Sequence, residues 1–322
     1  MPSLAAALCT RNRPIQLARA LTSLAAQSRP PDEVLVIDNA PSSRETRELV
    51  AREFPDVRYV QEPLPGLDFA RNRALCEAGS EVVAFLDDDA VAHRDWCRCL
   101  AAAFEDGRVG VATGRIEPLA LDTEGRRLFE ENGGFSRGTL EIRLPRDTGR
   151  PLHGRAAPAI AWAVSMGCGA SLAVRRSAAL TAGGFDEALD MGPRLPGGGD
   201  HDMLWRLLAA GHEVVYRPDA MVWHEHRAEK QAAYDQIVGH QHALVAFLTK
   251  HVLGREGGGR LPVLAFLAWR LVKPGVRLAR RAAGRDPLPA AVLLRMWWSC
   301  WSGLAAYPAA RREAQRLRRE VA

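Results

Sequence analysis

A chain of 322 residues with 47% hydrophobic and 25% charged residues can bury a full core, and it lies outside the weakly hydrophobic, highly charged range in which chains stay disordered. Its formal charge of +5 is local: from Lys250 onward 15 Lys and Arg face 4 Asp and Glu, a net of +11, which leaves −6 for the residues before it. A basic tail rich in Trp and Leu suits an anionic membrane surface; nucleic acid is the other polyanion such a tail can meet, but no nucleic-acid partner is expected.

The chain opens with no charged stretch followed by a long apolar run, and its cysteines at 9, 76, 97, 99, 168 and 300 are scattered. Both features predict a reduced, cytoplasmic protein, peripheral on the cytoplasmic face of the membrane where the tail binds it. Cys97 and Cys99 fall two apart in a predicted helix and point to different faces, which argues against zinc there.

Leu4 to Cys9 is an apolar run of strand length, and Ile15 to Gln27 has helical spacing until Pro30-Pro31 stops it. Glu33–Ile37 reads as a strand, Ser43–Glu53 as a helix capped by its Ser, Val57–Val60 as a strand and Phe69–Ala78 as a helix. Val82–Leu86 is the fourth strand, followed by a helix around Trp96 to Phe104 and by strand Val109–Thr113. This alternation predicts an α/β fold with a mainly parallel sheet and helices on both faces. From Gly133 to Pro158 the chain reads as loop or weak strand. Ala161 to Val174 reads as strand and small-residue turn, Ser177–Ala182 and Asp202–Ala210 as helices, and Val214–Tyr216 and Met221–Trp223 as short strands. From Gln236 the chain turns helical, apolar and basic, a C-terminal helical appendage.

Ligands of such sheets bind beyond the carboxyl ends of the strands. There the chain is polar: Thr10-Arg11-Asn12-Arg13 follows the first strand, Asp38-Asn39 the second and Asp87-Asp88-Asp89 the fourth. Three adjacent carboxylates repel unless compensated, and Mg²⁺ or Mn²⁺, hard cations that share oxygen ligands with phosphates, are the natural compensation; a solvated acidic turn is the alternative. Neither G-x-G-x-x-G nor G-x-x-x-x-G-K-[ST] is present, which demotes dehydrogenases and P-loop enzymes. Arg11 and Arg13 suit a diphosphate or ribose, or are solvated loop arginines; Arg71-Asn72-Arg73 is helix-interior and equally readable as surface charge.

Gly197-Gly198-Gly199-Asp200-His201-Asp202 places a glycine loop before a helix that starts with carboxylates, which the helix dipole keeps ionised. One of Asp200 and Asp202 is then a general base, the alternative being a simple helix cap. His224 and His226, two apart in an extended segment, can face one way and ligate a divalent metal, or stand exposed at a strand end.

Together these blocks resemble the inverting glycosyltransferases of family 2, with the nucleotide-sugar fold called GT-A. The resemblance runs from about Leu4 to Arg227 and rests on seven ordered segments: Ala7 to Pro14, Val34 to Asn39, Gly66 to Arg73, Phe85 to Asp89, Gly183 to Glu187, Gly197 to Asp202 and Trp223 to Arg227. It implies domains at 1–235 (a nucleotide-binding half, 1–115, and an acceptor and catalytic half, 116–235) and a tail at 236–322. It implies that Asp38 contacts the base, that Thr10, Arg11, Arg13, Arg71 and Asp88 line the nucleotide pocket, and that Asp87 reaches the ribose or metal. Asp89 and His224 would hold the metal, with His226 and Arg227 near the phosphates. Asp200 matches the family's base, although many members have Glu-Asp where this chain has Gly199-Asp200, which keeps Asp202 as the fallback. Trp162, Cys168 and Gly169 match a segment that faces the acceptor.

The expected reaction moves a sugar from a nucleoside-diphosphate sugar, a UDP-sugar foremost, to a hydroxyl of a glycan or lipid-linked acceptor in cell-envelope, glycolipid or polysaccharide synthesis. A metal-dependent nucleotidyltransferase and a non-catalytic sugar-nucleotide-binding module are the alternatives. In the tail, the clusters around Leu264 to Trp269 and Leu293 to Trp301 suit a helix lying on a membrane better than one crossing it, because Arg270 and Lys273 interrupt the first and Ser, Gly and Pro dilute the second. Packing of the tail on the catalytic domain is the other reading.

Overall fold

A computed structural model describes residues 1–149, 152, 157–254 and 260–321. The first half alternates as the apolar spacing demands: β1 (Leu4–Thr10), α1 (Pro14–Ala25), β2 (Glu33–Asn39), α2 (Glu45–Glu53), β3 (Arg58–Glu62), α3 (Leu67–Glu77) and β4 (Val82–Leu86). Pro14 opens α1 with its φ preset for a helix, and Leu17, Ala20, Leu21 and Leu24 form one buried stripe against the sheet. Every residue of β4 is buried, as a near-continuous apolar run covered on both faces requires. Each fully buried Leu, Val or Phe in these strands contributes about 1.5–3 kcal/mol.

β5 (Ala90–Ala92), α4 (Trp96–Ala103), β6 (Val109–Pro118), α5 (Glu124–Glu131), β7 (Ile142–Leu144), α6 (Ala159–Met166), β8 (Ser171–Arg175), α7 (Arg176–Thr181), α8 (Gly199–Ala209) and β9 (Glu213–His224) complete the catalytic body. The sheet runs β3-β2-β1-β4-β8-β6-β9-β5, with β7 also on β9. β1 to β4 are parallel, β6 and β9 are parallel to each other, and β8, β5 and β7 run antiparallel to their neighbours. The fold is thus α/β with a mixed, mostly parallel sheet flanked by helices.

Several local expectations change. α2 starts at Glu45 with Arg44 as its cap residue and no side-chain cap bond; Ser43 Oγ accepts only a long contact, 3.4 Å, from the Glu45 N–H. Residues 159–166 are helical, not extended, because their run is apolar on all sides and carries no period that separates helix from strand. The two short strands near 214 and 223 are one strand, β9, whose register against β6 shifts between Gly114 and Arg115. Pro218, Asp219 and Ala220 are the residues skipped there, and a Cβ on Gly114 would come within 2.0 Å of the Ala220 carbonyl, so the bulge needs glycine opposite it. Within the expected loop of 133–158, β7 is a strand; residues 150, 151 and 153–156 lie outside the described residues.

α9 (Lys230–Leu253), α10 (Arg260–Ala282) and α11 (Ala290–Val321) form the tail. Leu244, Phe247 and Leu248 of α9, Leu267 of α10 and Cys300 of α11 share one core with Leu35, Phe85 and Val174 of the sheet. No helix among the described residues is long and apolar enough to cross a membrane. Polar groups fasten the tail as well. Asp202, fully buried in α8, accepts from Arg206 Nε at 2.7 Å and pairs with Lys250 Nζ at 2.7 Å and His251 Nε2 at 2.9 Å. Lys250 also pairs with Asp186 at 2.7 Å, which accepts the Tyr307 hydroxyl at 2.8 Å.

Burial alone would raise the Asp202 carboxyl; Lys250 and Arg206 outweigh it and hold it far below the usual range. Its contribution to stability is therefore present above the unfolded carboxylate value, about 3.9, and is lost as pH falls toward the depressed folded value. Asp202→Ala, which leaves Lys250 and Arg206 buried without their shared anion, is expected to cost about 3–5 kcal/mol in denaturant unfolding at pH 7. A loss below about 1 kcal/mol would mean a network no stronger than an exposed ion pair.

Candidate active site

The parallel register sets the polar rim. Thr10 ends β1 opposite Asp38 in β2, and Ala7 pairs with Phe85, so the residues after β4 emerge beside the end of β1. There Asp88 accepts from Thr10 Oγ1 at 2.7 Å and from Arg13 Nη1 at 3.1 Å, and Arg13 Nη1 also donates to Asp89 Oδ2 at 3.0 Å. Asp88 is thus the tie between the two strand ends, and Arg13 is shared between two carboxylates. Arg11 stays exposed on the same loop.

β5 turns away from β4 to pair with β9, placing Ala90 opposite His224. That single register brings His224 to the acidic turn: Nε2 lies 3.1 Å from Asp89 Oδ1 and 3.9 Å from Asp87 Oδ2. Ligand atoms of Asp87, Asp89 and His224 all fall within 4.8 Å of one another. Burial and the adjacent Asp89 lift Asp87 to about 6. Asp89 goes the other way, because the His224 hydrogen bond, the His224 charge and Arg13 outweigh burial and hold it at about 2. His224 is raised: burial opposes its charge, but Asp89 prevails.

Behind His224 a relay fixes the ring. His224 Nδ1 meets His226 Nδ1 at 3.2 Å, and His226 Nε2 meets Glu130 Oε1 at 2.7 Å. The arrangement that satisfies every contact has His226 Nε2–H donating to Glu130, His224 Nδ1–H donating to His226 and His224 Nε2–H donating to Asp89, and a cation at the trio would take the place of that Nε2 proton. Two carboxylate oxygens and one imidazole nitrogen, with an ordered group behind the imidazole, are a donor set that fits Mg²⁺ or Mn²⁺. Phe129 and Phe135 pack their rings on these histidines with centroids 4.8 to 5.7 Å apart.

A cleft of about 2290 Å³ opens over this turn and runs toward α10. Thr10, Arg11, Arg13, Asp87, Asp88 and Asp89 line it, as do Cys168, Gly169, Asp200, His224 and Arg71. Asp38 lies in the wall behind: it is fully buried, accepts from the Tyr59 hydroxyl at 2.7 Å, and its Oδ1 has no partner among the described residues. Burial raises its carboxyl against the Tyr59 bond. Trp162 is a buried core residue; its neighbours Ala161, Val164 and Ser165 form the wall instead.

The two candidate bases separate completely. Asp200, in the first turn of α8, is partly exposed on the cleft, where its Oδ1 accepts the His201 N–H at 2.7 Å. Gly198 before it has φ 108°, which a side chain would strain. Asp202 faces the opposite way into the network with Arg206, Lys250 and His251, its oxygens committed and its surface closed. Arg71, too, is not surface charge: it is buried between Asp68 at 2.9 Å and Asp190 at 3.5 Å. Asn72 clasps Phe185 through both amide atoms, at 2.7 and 2.9 Å, and only Arg73 is exposed, paired with Glu77.

Sequence reasoning missed Glu130, Asp190, His201 and His240. Asp190 carried one signal, standing in a Gly- and Pro-rich turn, where it takes φ 52°. His240 lines the cleft from α9, a helix that the sequence pattern assigns to the appendage.

Known proteins share this fold and parts of this sequence. The mannosyltransferase PcManGT of Pyrobaculum calidifontis, solved in complex with GDP-Man and Mn2+, superimposes with a TM-score of 0.59 over 96% of this chain and 87% of that one at 21% identity, a likeness of fold. The pre-mycofactocin glycosyltransferase of Mycobacterium tuberculosis is 29% identical over 280 residues, 85% of this chain and 53% of the relative, so this chain spans about half its length. The succinoglycan biosynthesis protein ExoM of Rhizobium meliloti is 29% identical over 235 residues, 70% of this chain and 67% of that one. The family described as Glycosyl transferase family 2 matches residues 6–180, more than half of the chain. With that match over a GT-A-type sheet, this protein belongs to glycosyltransferase family 2.

Proposed function

We propose that this glycosyltransferase is metal-dependent and inverting, with Asp200 as its general base and Asp87, Asp89 and His224 as the protein ligands of a divalent ion. The observation that carries the reading is that one cleft is bounded by this carboxylate-imidazole trio and by the partly exposed carboxylate of Asp200 at a helix N-terminus. The donor is a nucleoside-diphosphate sugar. A UDP-sugar was the expectation from the resemblance, and the structural neighbour, bound to GDP-Man and Mn2+, supports the donor class and the metal without choosing the base. Asp38, the residue expected at the base, is fully buried and does not line the cleft, whereas the adjacent Asn39 does.

When bound, the ion would supply a positive charge to the diphosphate as negative charge grows there. The chain's own residues do the rest. Arg11 and Arg13 border the diphosphate side of the cleft, and Thr10 with Asp88 fixes the rim that carries them. Asp200 removes the proton from the acceptor hydroxyl; that oxygen forms its bond to the anomeric carbon while the bond from that carbon to the phosphate oxygen breaks, and the electron pair leaves with the nucleoside diphosphate. One displacement inverts the centre. Burial would raise Asp200, but His201 and Arg71 outweigh it and hold the carboxyl below its ordinary value, so it is ionised at neutral pH. Cys168 and Gly169 lie on the acceptor side of this carboxylate, with Trp162 in the core behind.

The acceptor is a glycan or a lipid-linked glycan, in keeping with the succinoglycan-pathway relative. Support for a lipid comes from the α10 lining of the cleft, where Phe266 and Trp269 are followed by Arg270 and Lys273. On the outer side, Leu261, Leu264, Val272, Trp298 and Trp301 are exposed, a ridge of apolar side chains beside Arg and Lys that suits peripheral contact with an anionic membrane. In domain terms, residues 1–235 carry donor and base, and the tail from 236 closes the acceptor end.

Two measurements test this reading. A panel of nucleotide sugars with Mn²⁺ should release nucleoside diphosphate from one donor, and Asp200→Asn should keep donor binding while losing about 10²–10⁴-fold in transfer. Undiminished turnover would move the base elsewhere, and release of pyrophosphate would replace the reaction class with nucleotidyl transfer. Separately, the full chain should float with anionic liposomes at low salt and lose that binding in Trp298→Ala/Trp301→Ala; equal flotation of the two proteins, or none at all, contradicts the membrane assignment.

A further inference from the structure

The turn that carries Asp200 rests on a buried ion pair that the transfer step does not use. Asp68, in the first turn of α3, is fully buried and has one donor: Arg71 Nη1 gives a hydrogen bond to Oδ1 at 2.9 Å, while Oδ2 has no partner among the described residues. Gly199 lies directly against that bare oxygen, and a Cβ there would come within 1.9 Å of it. On the other side, a Cβ on Gly169 would come within 2.2 Å of Arg71 Nη2. The pair is slotted between two glycine backbones, and one of them begins α8. Asp190 closes the loop: its Oδ2 accepts the Gly199 N–H at 2.8 Å and lies 3.5 Å from Arg71 Nη1.

We propose that Asp68 is a positioning residue for Asp200: it seats the Arg71 guanidinium against the Asp200 turn through one hydrogen bond. A fully buried carboxyl with a bare oxygen is costly in any form, so the one hydrogen bond from Arg71 is what holds the side chain in its slot. Burial and the nearby Asp190 drive Asp68 well above the ordinary carboxylate range, against Arg71. In either protonation state Oδ1 accepts from Arg71, and the guanidinium stays beside Asp190 and Asp200. The inference rests on the reading of Asp200 as the base.

The groups that face Asp200 are His201 on its own helix, Arg71 and Asp68 from α3, His240 from α9, Asp190 in the loop before α8, and Cys168 after α6. After burial, which raises the Asp200 carboxyl, His201 and Arg71 are the largest influences and both lower it. Moving Arg71 away therefore raises the Asp200 titration, and the acid limb of turnover moves to higher pH with it.

Carbon-13 carboxyl NMR of the full chain, with the Asp200 signal assigned by its loss in Asp200→Asn, reads this titration without substrate. Asp68→Asn, which keeps an acceptor for Arg71, should not raise the midpoint above its wild-type value. Asp68→Leu should raise it by about one unit. Gly169→Ala, which displaces Arg71 Nη2 while Asp68 is intact, should raise it as well and serves if Asp68→Leu does not fold. An unmoved midpoint in the folded variants of Asp68→Leu and Gly169→Ala, or a rise in Asp68→Asn as large as in Asp68→Leu, overturns the proposal. Transfer measured on the same proteins keeps the two readings apart. Asp200→Asn that still transfers sinks the base and leaves the titration standing; an unmoved titration with Asp200→Asn inactive sinks only the role of Asp68.

Discussion

Asp87, Asp88 and Asp89 leave a fully buried strand with three carboxylates in succession, and the placement of their neighbours follows from how that charge is absorbed. Two like charges about 4 Å apart repel by about 4 kcal/mol at an effective dielectric of about 20, a large part of the stability of an ordinary domain. Asp88 is handed to Thr10 and Arg13, residues that the parallel register delivers from β1. Asp89 and Asp87 are left to Arg13 and His224, and His224 arrives only because β5 turns away to pair with β9. The same geometry that makes this turn tolerable points two carboxylates and an imidazole at one place, the donor set proposed above for a metal.

The opposite wall of the cleft is built on a different device. α8 starts with two carboxylates that its first turn sends to different places: Asp202 inward to fasten α9, Asp200 outward to the cleft. The tail therefore builds part of the cleft, since α9 supplies both Lys250 behind the helix and His240 on the lining. The two carboxylates, two positions apart, take opposite environments, and the glycines at 198 and 199 make the division possible, one by its left-handed backbone and one by leaving room for Asp68.

Much of the first half was legible in the sequence because parallel strands covered on both faces are unbroken apolar runs and the helices between them are amphipathic. The segments that misled lack such a period. α6 is apolar on every side, β5 has three residues, and β9 is interrupted by a bulge that reads as a break between two strands. In the site, the acidic run, the glycine-aspartate turn and the two histidines were visible as residue types, yet their partners were not. Asp200 and Asp202 are indistinguishable in the sequence, and only packing against Lys250 and His251 separates them. Glu130, Asp190 and His240 are contributed by segments whose local pattern says nothing about the sheet rim. Arg71 reads as helix surface until the glycines at 169 and 199 are seen to wrap it and its partner.

The account depends most on a cation bridging the acidic turn and His224. Diffraction at the manganese edge from crystals grown with Mn²⁺ and the nucleoside diphosphate released in turnover would show this directly. An anomalous peak bounded by Asp87, Asp89 and His224 and touching the diphosphate is the predicted result. A nucleotide bound in the cleft with no ion between Asp89 and His224 would contradict it.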